Sequence, residues 1–227
     1  MDTQNSKLTI GYWPLRGLVQ HVFTLLEYTG TEYNFVKITD RPNWEAGKDA
    51  LIEGGMDFPN LPYLIDGDVQ ISESTALLLH CAGKYGDASL LYTPENRAKF
   101  FEIKGVVWDI LMGYVMPAYM SPDLTALKAT AELKTKQFHK KLGSLDRILG
   151  KQDYLMGGHI TAVDFLFAEV VERLNAMEKD LEINILGEFT NIAAFLQRFI
   201  SIPKIKAFRQ SDRFMTGPYN NTMAIWK

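Results

Sequence analysis

The stretch that decides the fold is Phe58-Pro59-Asn60-Leu61-Pro62-Tyr63-Leu64-Ile65-Asp66-Gly67. Proline cannot donate a hydrogen bond to a sheet, so Pro62 indicates the mouth of a strand and not its centre. Pro62 also favours an extended backbone at Leu61, whose N–H and C=O groups we expect to be free to pair with an extended peptide. The stretch therefore predicts an open sheet edge that can receive a short peptide.

An anion site is predicted directly after this stretch. Ser72-Glu73-Ser74-Thr75 precedes an apolar run and indicates the start of a helix. The first N–H groups of a helix have no partners within it and favour an anion. A peptide-receiving edge followed by a carboxylate pocket predicts a binding site for a small acidic peptide.

The composition excludes several classes of protein. The chain has 227 residues, 47% of them apolar, and a net charge of −3, so it can bury a core and lacks a basic surface for nucleic acid. The N-terminal residues are polar, unlike a signal peptide, and no apolar run approaches the roughly 20 residues of a membrane helix. Cys81 is the one cysteine, which excludes an intrachain disulfide and fits a reducing cytosol. The histidines lack the spacing of metal ligands, so no metal site is expected.

Hydrophobic periodicity predicts an α/β domain followed by a helical one. Strands are expected at 8–12, 33–38, 63–66 and 69–71, helices at 17–28 and 74–85, and a loop with a little helix over 40–57. Further helices are expected after the Thr93-Pro94 start signal, at about 124–149, from a capping box at Thr161 and Asp164, and at 189–200 and 203–210. The predicted organisation is a domain over 1–86, a linker over 87–92 and an all-helical domain over 93–227.

Several motifs, taken together in their order, resemble those of cytosolic glutathione transferases, and most of all the mu class. They are Gly11-Tyr12-Trp13 with Arg16-Gly17-Leu18, Leu25-Leu26-Glu27-Tyr28, the stretch from Phe58 to Tyr63, Ser72-Glu73-Ser74, Thr161-Ala162-Val163-Asp164-Phe165, and the tail Arg213-Phe214 with Met223-Ala224-Ile225-Trp226. The resemblance implies a thioredoxin-like N-terminal domain that holds glutathione, an all-helical domain that shapes the acceptor pocket, and a homodimer. The implied activity is conjugation of the glutathione thiolate to apolar electrophiles, a detoxification reaction in the cytoplasm that needs glutathione as co-substrate and no cofactor.

The resemblance assigns the catalytic role to Tyr12. A thiol with a pKa of about 8.5 is mostly protonated at neutral pH, and only its thiolate attacks an electrophile. A donor that hydrogen-bonds the thiolate lowers the thiol pKa. Tyr119 is implied as a second catalytic tyrosine, which donates a proton in some additions. Composition alone favours the plainer interpretation of Tyr12 as an amphipathic surface aromatic.

The resemblance also assigns residues to both substrates and to the dimer. Glutathione is expected to contact Tyr12, Trp13, Leu18, Trp44, Lys48, Asn60, Leu61, Glu73 and Ser74, together with Asp109 reaching from the neighbouring subunit. The acceptor pocket is expected to contain Met112, Val115, Met116, Tyr119 and Asn221, and Phe58 is expected to insert into the partner subunit. A cis Leu61-Pro62 bond is implied as well. Without the resemblance, Asp109 is a helix-surface charge, Lys48 a solvated charge, the methionines core residues and Cys81 a buried apolar residue.

Two positions depart from the mu pattern, and two alternative functions stay open. Glu73 stands where the mu class has glutamine, and Phe23 stands where the family often carries arginine on the first helix, so an ion pair is missing or replaced. A glutathione-dependent isomerase and a non-catalytic carrier of apolar ligands would both keep the same fold. A redox relative would need a cysteine in place of Tyr12, so the sequence speaks against that class.

Overall fold

The computed structural model describes residues 8–227, which form a small α/β unit followed by a helical unit. The strands are β1 (Thr9–Tyr12), β2 (Asn34–Lys37), β3 (Tyr63–Asp66) and β4 (Val69–Ser72). The helices are α1 (Gln20–Thr29), α2 (Arg41–Glu53), α3 (Ser74–Tyr85), α4 (Arg97–Met120), α5 (Leu124–Leu149), α6 (Ala162–Leu181), α7 (Thr190–Ile200) and α8 (Pro203–Arg209). This architecture, a thioredoxin-like unit with an all-helical unit, confirms the predicted fold class.

The sheet places the end of β1 beside the proline-rich stretch. Its strand order is β2-β1-β3-β4, with β1 parallel to β2 and antiparallel to β3. Gly11 pairs with Tyr63, so the next residue of β1, Tyr12, lies at the end of the sheet where β3 begins after Pro62. The Leu61-Pro62 peptide bond is cis. A Cβ on Gly11 would collide with the Tyr63 ring, so this close strand approach requires glycine.

Two predicted boundaries are wrong. Most of 40–57, expected as a loop with a little helix, is the 13-residue helix α2, whose start is capped by the Asp40 side chain accepting a hydrogen bond from the Asn43 N–H at 2.8 Å. Trp44 is the one buried residue of α2, so the apolar periodicity that signals a helix is weak there. Helix α4 begins at Arg97, after a turn that contains Pro94, and has no side-chain cap.

Helix α6 connects the two units. Its predicted capping box is present, with Thr161 and Asp164 bonded reciprocally. The helix packs against α1 of the α/β unit and against α4 and α7 of the helical unit. Its buried Glu169 also accepts the Nε–H of Arg16, in the turn after β1, at 3.0 Å. The turn that follows the central strand is therefore held by the helical unit.

Candidate active site

Tyr12 lies at the C-terminal end of β1 with its hydroxyl group held by the turn that follows. The residue is 5% exposed, and its Oη accepts a hydrogen bond from the Leu18 N–H at 3.0 Å. Gly17 has a φ of +43°, and a Cβ there would collide with the Tyr12 hydroxyl. Both the left-handed backbone and the close approach require glycine at position 17.

The Tyr12 phenol is a hydrogen-bond donor at neutral pH. Burial raises the pKa of Tyr12 to about 12, against the opposing effect of the Leu18 N–H bond. Because the Leu18 N–H is accepted by the phenol oxygen, the phenol proton is available to another partner. A buried O–H of this kind suits stabilisation of an anion placed next to it.

A cleft of about 520 Å³ lies next to this turn, between the α/β unit and the C-terminal tail. Four of the predicted site residues line it: Trp13, Trp44, Lys48 and Asn221. Trp44 is buried and stacks on Tyr63 at 6.3 Å, while the Lys48 ammonium lies 5.2 Å above the Trp44 ring and 2.9 Å from Glu45. Helix α2 thus presents an indole and a cation to the cleft.

The start of α3 combines backbone strain with an unpaired buried hydroxyl. Glu73 has a φ of +74°, which is rare for a residue other than glycine and costs on the order of 1–3 kcal/mol. Ser74 is buried, and its Oγ has no hydrogen-bond partner within residues 8–227. No side chain caps this helix start in the described structure. The N–H groups of this uncapped helix start and the Ser74 hydroxyl together suit a carboxylate.

The backbone of Leu61 differs from the prediction. Its N–H is not free but donates to Asn60 Oδ1 at 2.9 Å, because the asparagine side chain folds back on the chain. The Asn60 amide nitrogen lies 3.3 Å from Glu73, which joins this loop to the start of α3. A peptide that pairs with Leu61 must therefore displace an asparagine oxygen. Leu61 and Trp13 both pack on the cluster of Trp44 and Tyr63, which brings the two parts of the site together.

The predicted acceptor residues lie on α4 and the tail. Met112, Val115, Met116 and Tyr119 follow the helical spacing of one face. Val115 is buried, Met112 half-buried, and Met116 and Tyr119 are exposed. The Tyr119 hydroxyl accepts the Asn221 N–H at 3.2 Å. This face of α4 is therefore linked to the tail.

Two predicted contact residues are exposed on the single chain. Asp109 accepts the Lys141 ammonium at 2.6 Å, so its partner within the chain is a lysine of α5. Phe58 is 80% exposed, next to the proline-rich stretch.

The departure at Phe23 is explained by aromatic packing. Phe23 is buried, stacked on Tyr33 at 5.0 Å and set edge-on to Phe35 at 4.8 Å. The expected ion pair of the family is thus replaced by three rings. They border a second cavity, of about 680 Å³, on the side of β2.

Sequence reasoning missed cleft residues on α2 and the tail: Asp40, Arg41, Asn220, Thr222, Met223 and Lys227. The Asp40-Arg41-Pro42 pattern, an N-cap followed by an early proline, is the signal that could have located α2. The tail has no periodicity, so no local signal exists for it. Within residues 8–227 no group of three or more His, Cys, Asp or Glu side chains could hold a metal ion. None of the described helices is long and apolar enough to cross a membrane.

Comparisons with known proteins agree with this fold. Residues 8–83 match the family model "Glutathione S-transferase, N-terminal domain", and residues 108–212 match "Glutathione S-transferase, C-terminal domain". Glutathione S-transferase 2 of Gallus gallus is 35% identical, over 96% of this chain and 97% of its own. Glutathione S-transferase Mu 4 of Homo sapiens is also 35% identical, over 96% and 98% of the two chains. The crystal structure of the glutathione S-transferase Blo t 8 superposes with a TM-score of 0.83 at 25% identity, covering 96% of this chain and 98% of that one.

Proposed function

Because this chain belongs to the glutathione S-transferase family, we propose that it conjugates the glutathione thiolate to apolar electrophiles with Tyr12 as the catalytic residue. The single observation that carries the proposal is the buried, protonated Tyr12 hydroxyl, whose oxygen is held by Leu18 and whose proton is available to a ligand. In this proposal residues 1–86 hold glutathione, 87–92 are a linker and 93–227 shape the acceptor pocket.

The Tyr12 hydroxyl acts by favouring the thiolate over the thiol. Donation of its proton in a hydrogen bond to the glutathione sulfur stabilises the charged form and lowers the thiol pKa, each unit corresponding to about 1.4 kcal/mol. Because Tyr12 itself stays protonated well above neutral pH, it stabilises the anion without giving up its proton. The thiolate then attacks an electrophilic carbon by aromatic substitution, Michael addition or epoxide opening.

Glutathione is held by residues of α2, of the proline-rich stretch before β3 and of the start of α3. Trp44 and Lys48 bind the glycyl carboxylate, and the Leu61 backbone pairs with the cysteinyl residue. The start of α3, with the unpaired Ser74 hydroxyl, binds the γ-glutamyl carboxylate. Glu73 accepts the γ-glutamyl ammonium, a role for which a carboxylate serves as well as the glutamine of the mu class. Trp13, Leu18 and Asn60 complete the contacts.

The acceptor binds between α4 and the tail. Met112, Val115 and Met116 supply an adaptable apolar wall, and Asn221 closes it from the tail. Tyr119 lies at the same wall, and its hydroxyl oxygen accepts the Asn221 N–H, so its own proton is available to a developing product anion.

A homodimer in the cytoplasm, with a role in detoxification, completes the proposal. Phe58 is the contact that inserts into the partner, since an exposed phenylalanine in a loop is otherwise a liability. Asp109 reaches the partner's glutathione, and its exposed ion pair with Lys141 is weak enough to be exchanged for a ligand ammonium. The buried, lone Cys81 supports a reducing compartment.

Tyr12→Phe tests the catalytic assignment. A hydrogen bond to a charged group is worth about 1.5–3 kcal/mol, so we expect the rate of conjugation to a chlorodinitrobenzene-type substrate to fall about 10- to 100-fold at neutral pH. The KM for glutathione should change little, because the carboxylate contacts remain. Tyr114→Phe is the matched control, since it removes a buried hydroxyl that contacts Thr135 at 3.1 Å, away from the turn after β1.

The same assay separates the rival functions. An unchanged rate in Tyr12→Phe would contradict the catalytic role whatever the fold. Wild-type protein that binds glutathione without turnover of any electrophile would be a carrier. Turnover confined to isomerisation substrates would indicate a glutathione-dependent isomerase.

A further inference from the structure

Arg173 of α6 is a fully buried cation that connects three separate segments. Its Nη2 donates to the carbonyl oxygens of Gly17 at 3.1 Å and Tyr219 at 3.2 Å, and its Nη1 donates to Asn220 Oδ1 at 2.9 Å. Its guanidinium also lies 5.1 Å from the Tyr219 ring centroid. One side chain therefore joins the turn after β1 to the C-terminal tail.

The two segments that Arg173 joins both belong to the site. The carbonyl oxygen of Tyr219 in the tail accepts a hydrogen bond from the Gly17 N–H at 3.1 Å. The carbonyl oxygen of Pro218 accepts one from the Arg16 N–H at 2.9 Å. The turn supplies the Leu18 N–H that holds the Tyr12 hydroxyl, and the tail residues Asn220 and Asn221 line the cleft. A shift of the Arg173 guanidinium would therefore move the catalytic phenol and the cleft wall together.

Among residues 8–227, no carboxylate is bonded to the Arg173 guanidinium. The neighbouring carboxylates are engaged elsewhere: Glu169 and Glu172 bond Arg16, and Glu172 also bonds Arg209 at 2.7 Å. The three hydrogen bonds of Arg173 given above go to neutral oxygens, which leaves much of a buried positive charge uncompensated.

The titratable groups that face this cation are mostly neutral or cationic. They are Tyr12 of β1, Arg16 of the turn, His21 of α1, Glu169 on α6 itself and Tyr219 of the tail. Burial lowers the pKa of His21 to about 3, so this imidazole is neutral at physiological pH, and burial raises the pKa values of Tyr12 and Tyr219 to about 12, so both phenols are neutral too. Glu169, already paired with Arg16, is the one carboxylate among them.

We propose that Arg173 is a positioning residue for the reaction, which holds the turn that orients Tyr12 and supplies buried positive charge to the glutathione thiolate. This inference rests on the proposed function. It assigns the thiolate two sources of stabilisation, a hydrogen bond from Tyr12 and the electric field of the Arg173 charge. The low polarity of the surroundings of Arg173 strengthens this field. Because the same guanidinium also bonds Tyr219 and Asn220, it connects the tail, which lines the acceptor pocket, to the surroundings of the thiolate.

The test measures the pKa of the thiol of bound glutathione, from the ultraviolet absorbance of its thiolate as a function of pH. The pH profile of kcat/KM is measured alongside it. Arg173→Met keeps a long side chain without charge, and we expect its thiol pKa to rise by about one unit, which means about tenfold less thiolate at neutral pH. Arg173→Lys keeps the charge and should hold the thiol pKa near the wild-type value. Arg209→Met is the matched control, since it removes an arginine of the same buried network that contacts neither the turn nor the tail segment bonded by Arg173, and its thiol pKa should not change.

A second variant decides the question if Arg173→Met does not fold. Asn220→Asp places a carboxylate at the 2.9 Å position next to the guanidinium, neutralises its charge and should also raise the thiol pKa. Folded variants that bind glutathione with an unchanged thiol pKa would overturn the role of Arg173. Absence of a thiolate signal in the wild type would instead contradict the proposed function itself.

Discussion

At the scale of one residue, Ser74 carries an unpaired polar group that the proposed function assigns to a ligand. Its hydroxyl is buried at the start of α3 and has no partner among the described residues. A buried hydroxyl without a partner lowers the stability of the unliganded protein. Ser74 lies next to the strained Glu73 backbone, and under the proposed function the stability lost at both residues is offset by glutathione binding.

Ser74→Ala should therefore affect binding and not folding. We expect the KM for glutathione to rise about tenfold, the effect of about one hydrogen bond to a charged group. The free energy of unfolding without ligand should stay the same or rise by about 1 kcal/mol, because an unsatisfied group is removed. Enzyme kinetics and urea denaturation measure the two quantities.

Thr24→Val is the matched control for this prediction. The buried Thr24 hydroxyl donates to Gln20 O at 2.9 Å, so its loss should reduce stability and leave the KM unchanged. A Ser74→Ala protein with wild-type KM would contradict the role of Ser74 in binding the γ-glutamyl carboxylate.

At the scale of the element, α6 matters most because it touches both units and carries Arg173 and Glu169. Its start depends on Asp164, which accepts hydrogen bonds from the Leu155 N–H, the Thr161 N–H and the Thr161 hydroxyl, each at 2.8 Å. Two of these donors are backbone groups that the surrounding core screens from water. The register of α6 relative to the turn after β1 therefore depends on its first residues.

Asp164→Ala should destabilise the protein by about 3 kcal/mol, because it leaves two backbone N–H groups unpaired in the interior. The matched control is Asp123→Ala, which removes the exposed cap of α5, a bond to the Ala126 N–H at 2.8 Å, and should cost about 1 kcal/mol. Urea denaturation followed by circular dichroism gives both values. Equal losses in the two variants would contradict the special role of the α6 start.

At the scale of the whole molecule, the cleft is formed by parts distant in sequence. Its walls come from the segment after β1, from α2 and from the tail at 218–227. The tail is fixed by backbone bonds to the turn and by the Ile225 N–H, which donates to Ala118 O at the end of α4, 2.8 Å away. The cleft therefore exists only when both units are folded against each other.

Phe58→Ser tests the proposed assembly. Because Phe58 is exposed on the single chain, its loss should not unfold the subunit but should shift the molecular mass in solution from dimer to monomer, measured by light scattering or sedimentation. Ile52→Ser, on α2, is the control with a similarly exposed apolar side chain and should leave the mass unchanged. A dimer that persists in Phe58→Ser would contradict the proposed contact.

Several elements were predictable because their signals are local. The Asp66-Gly67 turn fixes the hairpin of β3 and β4, the apolar spacing over 124–149 gives α5 with its observed bounds, and Thr161 with Asp164 marks the start of α6. The extent of helix α2 was not predicted, since it buries only Trp44 and shows little periodicity. The motif around Tyr12 indicated the candidate catalytic residue, but the Asn60 oxygen on the Leu61 N–H was not foreseen.

Apart from the extent of α2, the sequence by itself determined the order of strands and helices and the family, because turns, caps and periodic apolar positions act over a few neighbouring residues. Only the tertiary structure decided which groups surround the Tyr12 hydroxyl. The contacts of Arg173 with Gly17 and Tyr219 span 156 and 46 residues of chain, and the Arg16–Glu169 bond spans 153. Burial and uncompensated charge are properties of such distant contacts, so no local pattern encodes them.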